Sequence, residues 1–193
     1  MFGLISPFMA VETVPMKIEY LRDAWMGRRD THQTRYFQKI WRDCINAEWW
    51  VQPSVVIDPF ARNCPLGTLT NDLNPDTDAI DHEDALEWLK AIDSDIADFV
   101  ILDPPFSDVA QSRIYGMKTN LYTDARYFKG IMMEIGRILK PGGRLLRLGY
   151  TTSNLNRTLV LERLYVVNFF SPRNDVLVSI FRKDSHTLRE WCE

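Results

Sequence analysis

Phe99-Val100-Ile101-Leu102-Asp103-Pro104-Pro105-Phe106 decides the reading of this chain. Four apolar residues in a row suit a strand buried on both faces. Two consecutive prolines forbid a helix and remove two amide donors, so the backbone turns rigidly away after Asp103. The Pro104 carbonyl is left to accept a hydrogen bond beside the Asp103 carboxylate, and Phe106 supplies a flat face just beyond. Two acceptors converging on an amino group, with a ring to stack on, suit a planar NH2-bearing substrate such as a nucleobase. A proline-rich strand exit with a capping Asp is the plainer alternative.

Outward from that stretch, strands and helices alternate. Ser54-Val55-Val56-Ile57 is a second buried run and ends at Asp58; Thr68–Asp72 reads as a third, short strand. Thr31–Trp50 has helical periodicity (Tyr36, Phe37, Ile40, Trp41, Cys44, Ile45), with Asp30 or Thr31 as cap. Asp81–Ile92 reads as a helix with Asp81 at the cap and Asp84 three residues on. Ala125–Leu139 is helical and is stopped by Lys140-Pro141-Gly142-Gly143. Arg144–Tyr150 is a strand and Asn154–Leu161 a short helix. Arg163–Phe170 and Asp175–Arg182 form a hairpin around Ser171-Pro172-Arg173-Asn174. The sum is an α/β fold, a Rossmann-like, mostly parallel sheet with a C-terminal antiparallel hairpin. Ligands in such sheets sit outside the carboxyl ends of the strands, which points at Asp58, Asp72 and Asp103.

The 193 residues fit one domain, 1–193, read as an N-terminal helical extension (1–50) and a core (54–183). Hydrophobic residues at 46% and charged residues at 25% describe a globular chain. No apolar run reaches the roughly 18 residues of a membrane span. Met1–Val11 is apolar, but Pro7 breaks it and no basic residue precedes it, against a signal peptide. Cys44, Cys64 and Cys192 lie far apart with no CxxC pair, so neither a disulfide framework nor a zinc site is expected, and reducing cytoplasm is the expected compartment.

Asp58-Pro59-Phe60-Ala61-Arg62-Asn63-Cys64 precedes the Asp103 turn by some 45 residues. With Asp103-Pro104-Pro105-Phe106 it resembles the class I S-adenosylmethionine-dependent amino-methyltransferases, whose cofactor loop is D-P-F-x-G-x-G and whose catalytic turn is [D/N/S]-P-P-[Y/F/W]. The resemblance implies S-adenosylmethionine as cofactor, with Asp103, Pro104, Pro105 and Phe106 catalytic. Asp58, Phe60 and Asn63 would line the cofactor pocket, and Asp72 would bind the ribose hydroxyls. Asp84, in Asp84-Ala85-Leu86-Glu87-Trp88-Leu89, resembles the acidic residue near the cofactor adenine; helix capping is its equal alternative. Ile138–Leu145 matches the L-K-P-G-G turn of the same fold. This chain departs from the family where Arg62 and Asn63 stand in a glycine-rich stretch; of the two, Asn63 tolerates a left-handed backbone better. Only 14 residues separate Asp58 from Asp72, against the usual ~20. The interval from Asp72 to Asp84 is also too short for a helix plus a strand, so a trimmed fold, lacking one strand, is expected.

Histidines 32, 82 and 186 are scattered, and Leu86 stands where HExxH needs its second His, so no metal site is expected. Cys64 precedes a proline, unlike the Pro-Cys nucleophile of C5-cytosine enzymes, and an exocyclic amine needs no covalent activation. Net charge is −3, but Asn71–Asp103 holds eleven acidic residues against Lys90; outside it stand 22 basic and 15 acidic residues. Met16–Arg42 carries Lys17, Arg22, Arg28, Arg29, Arg35, Lys39 and Arg42, a face suited to an anionic polymer or simply to solvent. After the catalytic turn, Arg113, Tyr115, Lys118 and Tyr122 interleave charge and aromatic rings in a long loop, as substrate-binding residues for an unstacked strand or as packing onto the sheet. The leading expectation is adenine N6 methylation of DNA, with nucleic acid as partner and DNA favoured over RNA. The nearest resemblance is to small phage-type methyltransferases. RNA guanine-N2 methylation and a degenerate nucleic-acid- or partner-binding module are the alternatives.

Overall fold

The two apolar runs that end at Asp58 and Asp103 lie side by side, β2 (Val56–Asp58) against β4 (Ala97–Leu102), parallel, with Val56 opposite Phe99 and Ile57 opposite Val100. The computed structural model describes residues 16–23, 30–51, 54–105, 124–169 and 175–184. The remaining elements are β1 (Lys17–Asp23), α1 (Arg35–Ile45), β3 (Leu69–Thr70), α2 (Ala85–Ala91), α3 (Ala125–Ile138), β5 (Leu139–Gly149), β6 (Leu159–Phe169) and β7 (Val176–Lys183). They build one seven-stranded sheet in the order β1-β6-β7-β5-β4-β2-β3. β7 is antiparallel to both neighbours, and every other adjacent pair is parallel.

Each face of the sheet carries its own core. On one, α2 and α3 bury Trp88, Leu89, Ile131, Met132, Ile135 and Ile138 against Ile57, Val100 and Leu102. On the other, Tyr36, Phe37, Ile40 and Cys44 of α1 pack on Phe99, Ile101, Tyr165 and Val167. Burial on both faces is why β2 and β4 read as continuous apolar runs rather than as alternations. Among the described residues, no helix is long and apolar enough to cross a membrane.

Five expectations are corrected. Residues 1–50 are not simply a helical extension, since Lys17–Asp23 forms the parallel edge strand β1 beside β6. Its charged residues hide a period of two: Glu19, Leu21 and Asp23 turn inward, and the Asp23 carboxylate accepts a hydrogen bond from the Tyr36 N–H. The helix expected over 31–50 is a 3-10 turn (Thr31–Gln33) and then α1, capped by Thr34, whose hydroxyl oxygen accepts from the Phe37 N–H. Helix α2 starts at Ala85 with Asp84 as its cap. Asp81 instead bridges to Asn71 and accepts from the Trp88 indole N–H at 2.8 Å. β5 begins at Leu139, and Lys140–Gly143 bulges out between the pairs Ala97–Leu139 and Phe99–Arg144, with Gly142 at φ 80°.

The helix expected over Asn154–Leu161 is absent. The Asn154 side chain accepts from the Asn156 N–H, and Asn156 accepts from the Thr158 N–H and hydroxyl. Such local bonds give the backbone an alternative to helix. The trimmed fold is as expected: ten residues of turns, without a helix, join β2 to β3, and between Thr70 and Ala85 only the Asn71–Asp81 bridge replaces a further strand.

Asn156 also anchors its loop to α3, donating from Nδ2 to the Met132 carbonyl at 2.9 Å. This requires a notch in the helix, because a Cβ at Gly136 would stand 2.0 Å from Asn156 Nδ2. Gly136→Ala gains helix propensity of about 1 kcal/mol but expels a buried amide, at about 1–3 kcal/mol for overpacking plus a lost buried hydrogen bond. Urea unfolding should show a net loss of about 1–3 kcal/mol; an alanine variant as stable as the parent would mean the notch is not needed.

Candidate active site

The order of connections fixes where a ligand can enter. From β2 the chain moves to β3 on one side, then returns to β4 on the other, so a crevice opens between the carboxyl ends of β2 and β4. Asp58 is the last residue of β2, and Asp103 is the first beyond β4. Asp72 follows β3 by two residues. The three acids singled out in the sequence therefore lie at one edge of the sheet, and Asp58 feels the charges of Asp103 and Asp72.

Asp58 is 2% exposed. Burial holds its carboxyl well above the usual range, against the Phe60 N–H, which donates to it at 3.1 Å; the charges of Asp103 and Asp72 push the same way as burial. Asp103 is raised to about 6, chiefly by burial. A hydrogen bond from the Thr31 side chain and the charge of Arg62 oppose that rise, while Asp30 adds to it. Pro104 is buried and Pro105 partly so. Tyr36, near the start of α1, senses Asp103, and its phenol is pushed upward by burial first. Cys64 is raised to about 12 by burial and by Asp58, so it stays a thiol at neutral pH and offers no nucleophile.

Asp72 is fully buried and fastens the loop after β2: its two carboxylate oxygens accept from the N–H groups of Arg62 (3.0 Å) and Asn74 (2.9 Å). Arg62, not Asn63, takes the left-handed backbone, at φ 48°. An arginine there is held by that Asp72 bond and by an ion pair with Asp30 at 3.1 Å. Asn63 joins the same clamp, accepting from the Asp78 N–H at 3.1 Å and reaching Asp30 at 3.5 Å. Phe60 is half-buried against the α2–α3 core. Asp84 is occupied as the α2 cap: one oxygen accepts from the Leu86 and Glu87 N–H groups, the other from the Tyr127 hydroxyl at 2.7 Å.

Sequence reasoning missed the cover of this crevice. Asp30 and Thr31 reach Arg62, Asn63 and Asp103 from more than thirty positions away, a tertiary relation with no local signal. It also missed Asn71, fully buried, whose side chain donates to the Pro59 and Glu83 carbonyls and accepts from the Glu83 N–H. Phe106, Arg113, Tyr115, Lys118 and Tyr122 lie outside the described residues, as do Arg28 and Arg29. On the expected basic face, Lys39 is taken up by Glu19 and Asp43, while Arg35 and Arg42 remain exposed on α1.

A mostly parallel sheet with one antiparallel strand, opened at its switch point and closed by a C-terminal hairpin, is the class I methyltransferase fold in a trimmed form. The chain superposes on the solved "Putative methyltransferase yhhF from Escherichia coli" with a TM-score of 0.53 at 10% identity, over 84% of this chain and 92% of that one. No family model matches the sequence, and no curated protein does.

Proposed function

We propose that this chain transfers a methyl group from S-adenosylmethionine to an exocyclic amino group of a nucleobase, adenine N6 in DNA first. One observation carries the reading: Asp103-Pro104-Pro105 leaves β4 beside Asp58 at the topological switch point. The donor set suits the cofactor's charge. Asp58 and Asp103 are carboxylates held above their ordinary range chiefly by burial, with the charges of Asp103 and Asp72 adding to it at Asp58 and that of Asp30 at Asp103, so a bound cation would relieve both. S-adenosylmethionine is such a cation, and bound there it supplies a methyl group on an electron-poor sulfur. Asp58, Phe60, Asn63 and Asp72 are the residues proposed to hold it, with Asp84 beside the adenine.

The remaining work belongs to the chain. Adenine N6 is a poor nucleophile because its lone pair is delocalised into the ring. The Asp103 carboxylate and the Pro104 carbonyl, each accepting one amino hydrogen, favour a pyramidal nitrogen with its lone pair directed at the methyl group. Positive charge then develops where two acceptors already stand, and in-line positioning does the rest. As the nitrogen gains carbon it gives up one proton; a carboxylate with a pKa of about 6 can take that proton and return it to solvent. Phe106 is proposed to stack on the base.

Nucleosides from DNA and RNA incubated with the protein and labelled cofactor, separated and weighed, test the assignment. Label in N6-methyladenine from DNA supports it. Label in N2-methylguanine from RNA redirects the substrate, and no label in either leaves a binding module. The pH profile is a second test. Acceptance by Asp103 requires its ionised form, so the rate at limiting cofactor, which reports the free protein, should fall with a one-proton slope as pH drops through about 6 and level off above. A rate that is flat from pH 5 to 7 would remove Asp103 from the reacting centre.

A further inference from the structure

We infer that the loop leaving β5, residues 150–155, is a reading surface for unstacked bases that flank the target, and that the buried Arg147 is its positioning residue. This deepens the proposed reading of the site and rests on it. Arg147 lies opposite Leu102 in the β4–β5 pairing and is 1% exposed. Its guanidinium is spent on the loop's backbone: Nη1 donates to the Ser153 carbonyl at 2.6 Å, and Nη2 to the Thr151 carbonyl at 2.7 Å and the Thr151 hydroxyl at 3.2 Å. Below, it sits 5.4 Å from the centre of the Phe128 ring. A charge placed in a sheet interior is costly, and an apolar residue would fill the space. What the arginine adds is the shape of the loop. Asn156 fixes the other end through Met132, so the loop is fastened at both ends to rigid elements.

What the loop presents is specific in kind. Residues 150–155 are all exposed, with Tyr150 at 42% and Leu155 at 40% at the ends and Thr151, Thr152, Ser153 and Asn154 between. None of the six carries a charge. β5 runs past the level of Leu102, so Tyr150 leaves the sheet on the edge where Asp103-Pro104-Pro105 leaves β4, and Tyr36 senses both Tyr150 and Asp103. The Tyr150 ring can stack on a base and the Thr152 hydroxyl can reach a base edge, while the Asn154 side chain is spent on the Leu159 carbonyl and the Asn156 N–H, and the Thr151 and Ser153 hydroxyls bond each other. Phosphates would call for lysine or arginine.

The test is equilibrium binding of a fluorescent single-stranded DNA oligonucleotide across a salt series, together with KM and kcat on the same strand. Tyr150→Ala should weaken binding about tenfold, with the salt slope unchanged and kcat little altered; Tyr150→Trp should restore it. Arg147→Met, which cannot touch the strand, should weaken binding similarly while S-adenosylmethionine affinity is kept, and far-ultraviolet circular dichroism checks that it folds. Wild-type affinity in Tyr150→Ala overturns the proposal, as does a flattened salt slope, which would mean phosphate contact. The two readings separate cleanly. Tyr150-dependent binding without any methylated nucleoside sinks the transferase reading alone. Methylation that is indifferent to Tyr150 sinks this one alone, and a wild-type protein that binds no oligonucleotide ends both.

Discussion

Asp103→Ala should lower methyl transfer on the order of 10²-fold or more, with affinity for S-adenosylmethionine close to that of the parent. The substitution removes one of the two acceptors proposed to shape the amino group, and it leaves the loop after β2 untouched. Asp103→Asn is the sharper companion, since it keeps the size and one acceptor oxygen but loses the charge. It should be nearly as slow as the alanine variant, and its rate should lose the pH dependence near 6. Stability should move the other way. The folded pKa of Asp103, about 6, lies above the ordinary value of 3.8. Ionisation therefore opposes folding fully above about pH 6 and not at all below about pH 4. Asp103→Asn should accordingly melt above the parent at pH 7.5, with the gap closing toward pH 4. A variant that transfers at near-parental rate to DNA and RNA alike would remove the amino-methyltransferase reading at its centre.

Asp72→Ala carries the second large effect, and here stability and binding fall together. Both of its oxygens serve backbone N–H groups, those of Arg62 and Asn74, in a place no solvent reaches. Each buried donor left without an acceptor costs about 1–3 kcal/mol, less whatever entering water recovers. The left-handed Arg62 also loses one of its two restraints, at about 1–2 kcal/mol of backbone preference. Denaturant unfolding should show about 2–4 kcal/mol less stability, and calorimetry with S-adenosylmethionine about 1–3 kcal/mol weaker binding through loss of the loop shape that Asp72 holds beside the proposed cofactor pocket. Reduced stability with unchanged cofactor affinity would leave Asp72 as a loop fastener and nothing more.

How much of this was legible in the chain depends on whether a residue's environment is local. Val56–Asp58 and Ala97–Leu102 stand out because burial on both faces leaves no polar position to interrupt them. The carboxyl-end rule then brings Asp58, Asp72 and Asp103 together without knowledge of any contact. β1 was illegible: it is an edge strand, and Lys17, Glu19, Arg22 and Asp23 answer to solvent and to α1 rather than to a core. Asn154–Leu161 misled because the asparagine side chains capture the next amides, a competition that a helical reading of the span leaves out. Arg62 misled for a different reason. Its backbone is set by Asp72 and Asp30, partners ten and more positions away, and intrinsic preference would have chosen Asn63.

The placement of β1 bears on how the molecule assembles. Its parallel register pairs Lys17 with Arg163 and Asp23 with Phe169, so β1, made early, must wait for β6, made more than a hundred residues later. Contacts so distant in sequence form slowly, because a long loop must close before they repay its entropy. Asp23 in turn holds the Tyr36 N–H at the start of α1, next to Thr31 and the Asp103 crevice. During synthesis the cover over the Asp103 carboxylate therefore lacks its brace until β6 and β7 have paired. Order in the Asp103 crevice should come late as the chain grows, arriving only when β1 has met β6.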